Sequence, residues 1–364
     1  MSAVLEVAAE RASAEQGQAS APAIAIVLLG TGVVGGALLK LLNTPAAASV
    51  QLVGVANSRR QQLDRARLAS RGLREQLNGD GEPRDNGRLL AALDASGAAV
   101  KVLIDATANA ALADRHAEWL ARGYHVVTAN KALAGGELAG WRALQAATAG
   151  GGRYGDAATV GAGLPVLSTL RRLRRCGDSL LTLEGVFSGS LSWLFNQYDG
   201  KTPFSALLRE ARRLGYTEPD PRSDLSGDDV ARKLLIIARN AGFALGSDEV
   251  VVEGLVPEAL RGIDSEAFLA RLEELDAPLA ARHAEAASRG GVLRFLARLN
   301  QRGHARVGLT EVSATHPAAR LHGTDNQFAL TTTRYNSQPL VIQGPGAGPE
   351  VTAQALLGDV LALS

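Results

Sequence analysis

The 364-residue chain, 46% hydrophobic, is long enough to bury the cores of about two domains. Its formal charge of +1 gives no electrostatic reason to expect nucleic acid or an anionic membrane, and no apolar run approaches the roughly 18 residues of a membrane helix, so a small-molecule partner is expected. A single cysteine, Cys176, excludes an intramolecular disulfide and a thiolate metal cluster; it points to a reducing compartment and reads as a small buried residue.

Residues 1–22 are rich in Ala, Ser, Glu and Gln and lack the basic start and long apolar core of a secretory signal. They predict a disordered tail and a cytoplasmic protein. From residue 23 the texture changes: "AIAIVLL" has the unbroken apolar pattern of a strand buried on both faces, and it runs into "GTGVVGGALLKLL". Gly30, Gly32 and Gly35, spaced by Thr31, Val33 and Val34, fit a dinucleotide-binding turn: a tight bend, a close approach for pyrophosphate, and close helix–strand packing. Further strands at "SVQLVGVAN", "VKVLIDATAN" and "YHVVTANK" complete an α/β pattern of the Rossmann type, a doubly wound parallel sheet.

After the second strand, where an acidic residue would hold a ribose 2′-hydroxyl, the chain reads Asn57-Ser58-Arg59-Arg60. With no carboxylate to repel a 2′-phosphate, NADP is favoured and NAD is the alternative; the two arginines also read as ordinary surface charges. The polar stretch 61–90 yields no more than a helix and a loop. Ligands of open parallel sheets lie at the carboxyl ends of the strands, which here carry Asp105, Thr107 and Lys131. His125 reads as structural, and none of the six histidines has metal-ligand spacing.

Beyond the Gly-rich residues near 150 the βαβ pattern stops, which predicts a second, α+β domain from residue 151. "GDAATVGAGLP" and Ser188-Gly189-Ser190 are turns of small residues, able to admit a ligand or simply to open a helix. The span "YTEPDPRSDLSGDDVARK" concentrates Glu218, Asp220, Asp224, Asp228 and Asp229 before Arg232 and Lys233. Its prolines hold Glu218 and Asp220 extended. Ser226 and Asp229 suggest a capping box for the following helix, on which Asp229 faces Lys233 and Asp228 faces Arg232. In the helix before it, Thr202 suggests the cap and Pro203 the first position. Lys233 precedes the apolar run "LLIIA"; a half-buried lysine with a carboxylate one turn away can donate a proton.

Taken together, "GTGVVGG", "VVTANKA", "TVGAGLP", "SGSLSWLFN", "GYTEPDPRSDLSGDDVARKL" and "PLVIQGPGAG" resemble homoserine dehydrogenase, most closely the dehydrogenase portion of fused aspartokinase–homoserine dehydrogenases, over roughly residues 23–364. The resemblance implies NAD(P)-dependent interconversion of L-homoserine and L-aspartate 4-semialdehyde toward threonine and methionine. It also implies a homodimer, a nucleotide-binding domain of residues 23–150 to which 335–364 returns, and a catalytic, substrate-binding and dimerisation domain over 151–334. It places Lys233 as proton donor, Lys131 beside nicotinamide and substrate, and Asp229 with Glu218 around the substrate amino group. Asp224, Tyr216, Gly189 and Ser190 fall in the substrate pocket, while Thr107 and Gly348 fall beside the cofactor.

Members of the family can hold a monovalent cation such as sodium through backbone carbonyls, matched here by Val160, Ala162 and Leu164, and an acidic side chain, where this chain has Ala157 with Asp156 displaced by one. No kinase-like segment precedes residue 23 and no regulatory domain is evident after the catalytic one, so threonine inhibition routed through such domains is expected to be missing. Two alternatives stay open. One is another NAD(P)-dependent oxidoreductase of a small amino or hydroxy acid, which has no need for Glu218 and Asp229 together. The other is a catalytically silent nucleotide-binding subunit.

Overall fold

A computed structural model describes residues 24–64 and 68–363; the tail expected over 1–22 lies outside the described residues. The first sheet has strands β1 (Ile24–Leu29), β2 (Val50–Ala56), β3 (Arg60–Leu63), β4 (Glu82–Pro83), β5 (Val100–Asp105), β6 (His125–Thr128) and β7 (Tyr154–Gly155), in the order β4-β3-β2-β1-β5-β6-β7. The pairs from β2 to β7 are parallel, and β3 and β4 extend the edge antiparallel. β1 explains its own unbroken apolar run. Ile24, Ile26 and Leu28 enter one core with Leu38 of helix Val33–Leu41, whereas Ala25, Val27 and Leu29 enter another with Leu89 and Leu144. Alternate side chains thus feed the two helix layers of a doubly wound sheet.

The second sheet has β8 (Leu180–Val186), β9 (Val250–Val252), β10 (Gly291–Asn300), β11 (Ala305–Ser313), β12 (Asp325–Thr332) and β13 (Leu340–Pro345), ordered β13-β12-β8-β10-β11-β9. It is antiparallel except where β9 joins β11. Helices Val166–Arg175, Gly189–Gln197, Phe204–Arg213 and Asp228–Ala241 cover one face, sharing a core with Leu183, Phe295 and Leu299. Of segment 335–364, residues 340–345 belong to this second sheet. Helix Pro349–Leu361 returns to the first, packing on helix Val33–Leu41 and placing Ala353, Leu356, Leu357 and Val360 in the core that β1 shares. Among the described residues, no helix is long and apolar enough to cross a membrane.

Local signals differ from expectation in four places. Stretch 61–90 holds two short strands, helix Leu73–Asp80 and the start of helix Asn86–Ala95; the turn into β3 is made by Asn57 Oδ1, which accepts from the amides of Arg59 and Arg60 at 2.8 and 2.7 Å. Cys176 is exposed: it sits just past the end of helix Val166–Arg175, where the chain turns back through Gly177 at φ +72°. The Ser226 capping box does not form. Gly227, at φ +82°, takes the cap position of helix Asp228–Ala241, and Ser226 Oγ accepts from the Asp228 amide instead. Pro203 occupies the cap position of helix Phe204–Arg213, displacing Thr202, whose amide goes to Asp199.

Candidate active site

Two of the three glycines in the nucleotide turn have no room for a side chain. Gly30 stands at φ +99°, where a Cβ would come within 2.7 Å of Thr107 Cγ2, and a Cβ on Gly35 would overlap the Gly30 carbonyl. At Gly32 a Cβ would meet no protein atom, so the space over that amide is left to a ligand. The turn opens onto a groove of about 630 Å³ lined by Gly30, Thr31, Gly32, Asn57, Arg59, Arg60 and Thr107, with Arg74 and Asn78 added from helix Leu73–Asp80. Arg60 is committed, donating through Nη1 to the carbonyls of Gly81 and Gly79. Arg59 and Arg74 are exposed over the groove. Sequence reasoning missed Arg74 because nothing in its polar surroundings marks a helix that folds back toward β2.

Beneath the strand ends lies a buried carboxylate. Asp105 Oδ1 accepts from the amide and hydroxyl of Thr107 at 2.9 and 2.7 Å, and Oδ2 from Asn130 Nδ2 at 3.0 Å. His116 Nε2 lies 3.0 Å from the same oxygen, and its Nδ1 lies 3.2 Å from the Tyr154 hydroxyl. One side chain therefore fixes both the Thr107 loop and the residue before Lys131. Burial of this kind is stable because every donor is matched.

A cleft of about 970 Å³ separates the two sheets. From the first side come Val33, Val34, Lys131 and Gly348; from the second come Gly189, Ser190, Tyr216, Glu218, Asp224, Asp228, Asp229 and Lys233. Val33 is 72% exposed, an apolar seat at the start of its helix. Lys233 is buried and donates to the Phe187 carbonyl at 2.7 Å, with its Nζ 2.8 Å from Asp229. Lys131 Nζ approaches the other oxygen of Asp229 at 3.3 Å. Burial pushes the Asp229 carboxyl up, but the two ammoniums outweigh it and hold it well below the usual range. Burial and the Lys131 charge push the Lys233 ammonium down against the pull of Asp229 and Asp224.

The acidic span is divided. Asp224 accepts the Ser190 hydroxyl at 2.7 Å and the Glu218 amide at 2.9 Å, which aims Glu218 along the cleft wall; burial raises the Asp224 carboxyl against those two hydrogen bonds. Asp220 turns away to clamp Arg222, which reaches the carbonyls of Leu260, Arg261 and Ile263. Among the described residues no ion pair joins Asp228 to Arg232. The Tyr216 ring stands 5.6 Å from that of Trp193 at the rim.

The loop expected to hold a cation spends its polar groups elsewhere. Ala162, at φ +53°, and Gly161 line the cleft, while Val160 is fully buried and the Leu164 carbonyl accepts the Val166 amide. The adjacent acid, Asp156, is spent on Arg171 and on Asn240 Nδ2, and Asp359 Oδ2 accepts the Ala157 amide at 2.9 Å. No acidic side chain from the loop is left to neutralise a cation, so these residues do not fit one, and no step is routed through it.

Comparison with known proteins decides the family. A sequence model described as "Homoserine dehydrogenase, NAD binding domain" matches residues 30–154, and one described as "Homoserine dehydrogenase" matches residues 165–361. The chain belongs to the homoserine dehydrogenase family. It is 39% identical over 354 residues to a chloroplastic bifunctional aspartokinase/homoserine dehydrogenase of Zea mays, covering 94% of this chain and 38% of that protein. To the homoserine dehydrogenase of Saccharomyces cerevisiae it is 35% identical, covering 95% of this chain and 99% of the yeast protein. A crystal structure of a Candida auris protein of unknown function superposes with a TM-score of 0.87 at 33% identity, over 93% of this chain and 97% of that one. In this chain the glycine turn and Lys131 belong to the first sheet and Asp229 and Lys233 to a helix on the second, and they meet at the cleft.

Proposed function

We propose that the protein catalyses the reversible interconversion of L-homoserine and L-aspartate 4-semialdehyde, with NADP as the favoured cofactor. The observation that carries this reading is the Asp229 carboxylate held between Lys131 and Lys233 at the cleft floor. Gly30, Thr31, Gly32, Val33, Val34 and Gly35 would hold the pyrophosphate, Asn57 the ribose, and Arg59 with Arg74 a 2′-phosphate. Thr107 and Gly348 flank the cofactor. Bound in this cleft, the nicotinamide supplies the hydride for reduction and accepts it in oxidation.

The chain's own residues supply charge and protons. Glu218 and Asp224 offer carboxylates to the substrate ammonium, with Tyr216, Gly189 and Ser190 as walls; the Gly189 and Ser190 amides, at a helix start where Ser188 caps Leu191, suit its carboxylate. As hydride reaches the aldehyde carbon, the oxygen takes a proton from Lys233, leaving a neutral amine that solvent reprotonates. In oxidation the neutral amine takes the hydroxyl proton as hydride departs. Lys131 stabilises the charge developing on that oxygen, and Asp229 keeps both lysines in place. Reduction is the biosynthetic direction, toward threonine and methionine.

The working unit in this proposal is a homodimer. Steady-state assays with L-homoserine and NADP, then NAD, test the reading. Wild type should turn over, and Lys233→Ala should lose about 10²- to 10⁴-fold in kcat while still binding NADPH. Wild type that binds NADPH and converts neither homoserine nor the semialdehyde would instead be a silent nucleotide-binding subunit.

A further inference from the structure

The two lysines come from different sheets, yet they meet on one carboxylate; something must set their separation. Lys131 follows β6, and the next residues form a tight turn in which the Gly135 amide donates to the Lys131 carbonyl at 2.8 Å. Within that turn the chain crosses between cores: Leu133 packs with the first sheet's residues and Ala134, fully buried, with the second's. The Ala134 carbonyl accepts from Arg239 Nη1 at 2.8 Å. Arg239 lies on the same helix as Asp229 and Lys233, is 2% exposed, and spends Nε and Nη2 on the Leu245 carbonyl at 3.2 and 3.1 Å. All its close partners are carbonyls. Burial pushes the guanidinium down only to about 10, so it stays charged in the neutral range. Glu137 acts on this charge only through space, so the hydrogen bonds of Arg239 are all to carbonyls; such burial is costly, and the arrangement depends on those carbonyls staying in place.

Gly135 closes the joint. A Cβ there would overlap Arg232 Cγ and come within 3.0 Å of the Lys131 carbonyl and 3.1 Å of the Arg232 carbonyl. Only glycine lets the Lys131 turn rest directly on the helix.

We propose that Gly135 and Arg239 are positioning residues that bolt the Lys131 turn to helix Asp228–Ala241 and so fix the distance between Lys131 and Lys233. The inference rests on the dehydrogenase reading above. It has a consequence a merely structural contact would lack. Lys233 faces Asp229 from its own helix, Lys131 from the turn, Asp224 from the short helix Arg222–Leu225, Glu218 from the proline-rich segment, and the Phe187 carbonyl at the end of β8. Of these, only Lys131 is a cation that disfavours the Lys233 ammonium. Loosening the joint withdraws that cation, so Lys233 holds its proton to higher pH.

The test compares wild type with Gly135→Ala and Arg239→Lys. Aldehyde reduction needs protonated Lys233, so in both variants the limb on which kcat declines with pH should move upward, by about half a unit to one unit. In both, kcat at its plateau should fall about tenfold or more. KM for NADPH should change less than about twofold, because the glycine turn is on the far side of the cleft. Competitive acetylation of Lys233 across pH, read by mass spectrometry, titrates the same amine without turnover. If wild type fails to turn over, the dehydrogenase reading falls, while the acetylation curve still judges the joint. If Gly135→Ala does not fold, Arg239→Lys carries the comparison. Variants that lose rate or melting temperature while the pH limb and the acetylation curve stay in place would overturn the proposal.

Discussion

Lys233 Nζ lies 2.8 Å from an Asp229 oxygen one helical turn before it, so the buried ammonium and its counter-charge belong to the same rigid element. Removing the carboxylate leaves Lys233 facing Lys131 unscreened. Asp229→Asn should therefore lower kcat about 100-fold or more, and the pH limb for reduction should shift downward, opposite to the shift expected for the loosened joint. The same pair gives a stability signature. The folded Asp229 carboxyl titrates below its unfolded value, so the unfolded chain binds the extra proton as pH falls through about 4. Its contribution is complete above that pH and is lost below it. Urea denaturation between pH 3 and 6 should show a shallower acid decline in Asp229→Asn than in wild type.

Selectivity for the 2′-phosphate should divide between the two neighbouring arginines. Arg59 is exposed over the groove, whereas Arg60 is tied to the carbonyls of Gly79 and Gly81. A charge-assisted hydrogen bond is worth about 1.5–3 kcal/mol. Arg59→Ala should raise KM for NADP about 10- to 100-fold and leave that for NAD nearly unchanged. Arg60→Ala should weaken both cofactors together by loosening the turn, which initial-rate kinetics with each cofactor will resolve.

Gly35→Ala should damage fold and cofactor site at once. The added methyl would overlap the Gly30 carbonyl and drive helix Val33–Leu41 away from β1. Such overpacking costs about 1–3 kcal/mol. Denaturant midpoints and NADPH fluorescence titration should both register it, the second as a loss of binding larger than the first would explain.

How much of this was legible depended on how local the cause was. The unbroken run of β1 and the three glycines after it report burial and backbone clearance that neighbours in sequence enforce, so the nucleotide turn could be read directly. Asp229 and Lys233 were legible for the same reason, being four residues apart on a helix with an apolar continuation. Asp220 was not: its neighbours Glu218 and Asp224 line the cleft, and only the carbonyls of Leu260, Arg261 and Ile263 draw Arg222, and Asp220 with it, the other way. Arg239 also escaped notice. A cation inside an apolar helix is a visible oddity, but its partner carbonyl at Ala134 lies far back in the sequence and carries no side-chain signature. The Ser226 capping pattern misled because Gly227 adopts a left-handed conformation that moves the cap by one residue.

Helix Pro349–Leu361 completes a core that β1 begins, and its first residues wall the cleft. Synthesis runs from the amino end, so β1 and its neighbours leave the ribosome long before the side chains that cover them. The core begun by β1 therefore cannot close early; part of its apolar surface waits while the second sheet is made. Chaperone demand should accordingly fall on the first half of the chain.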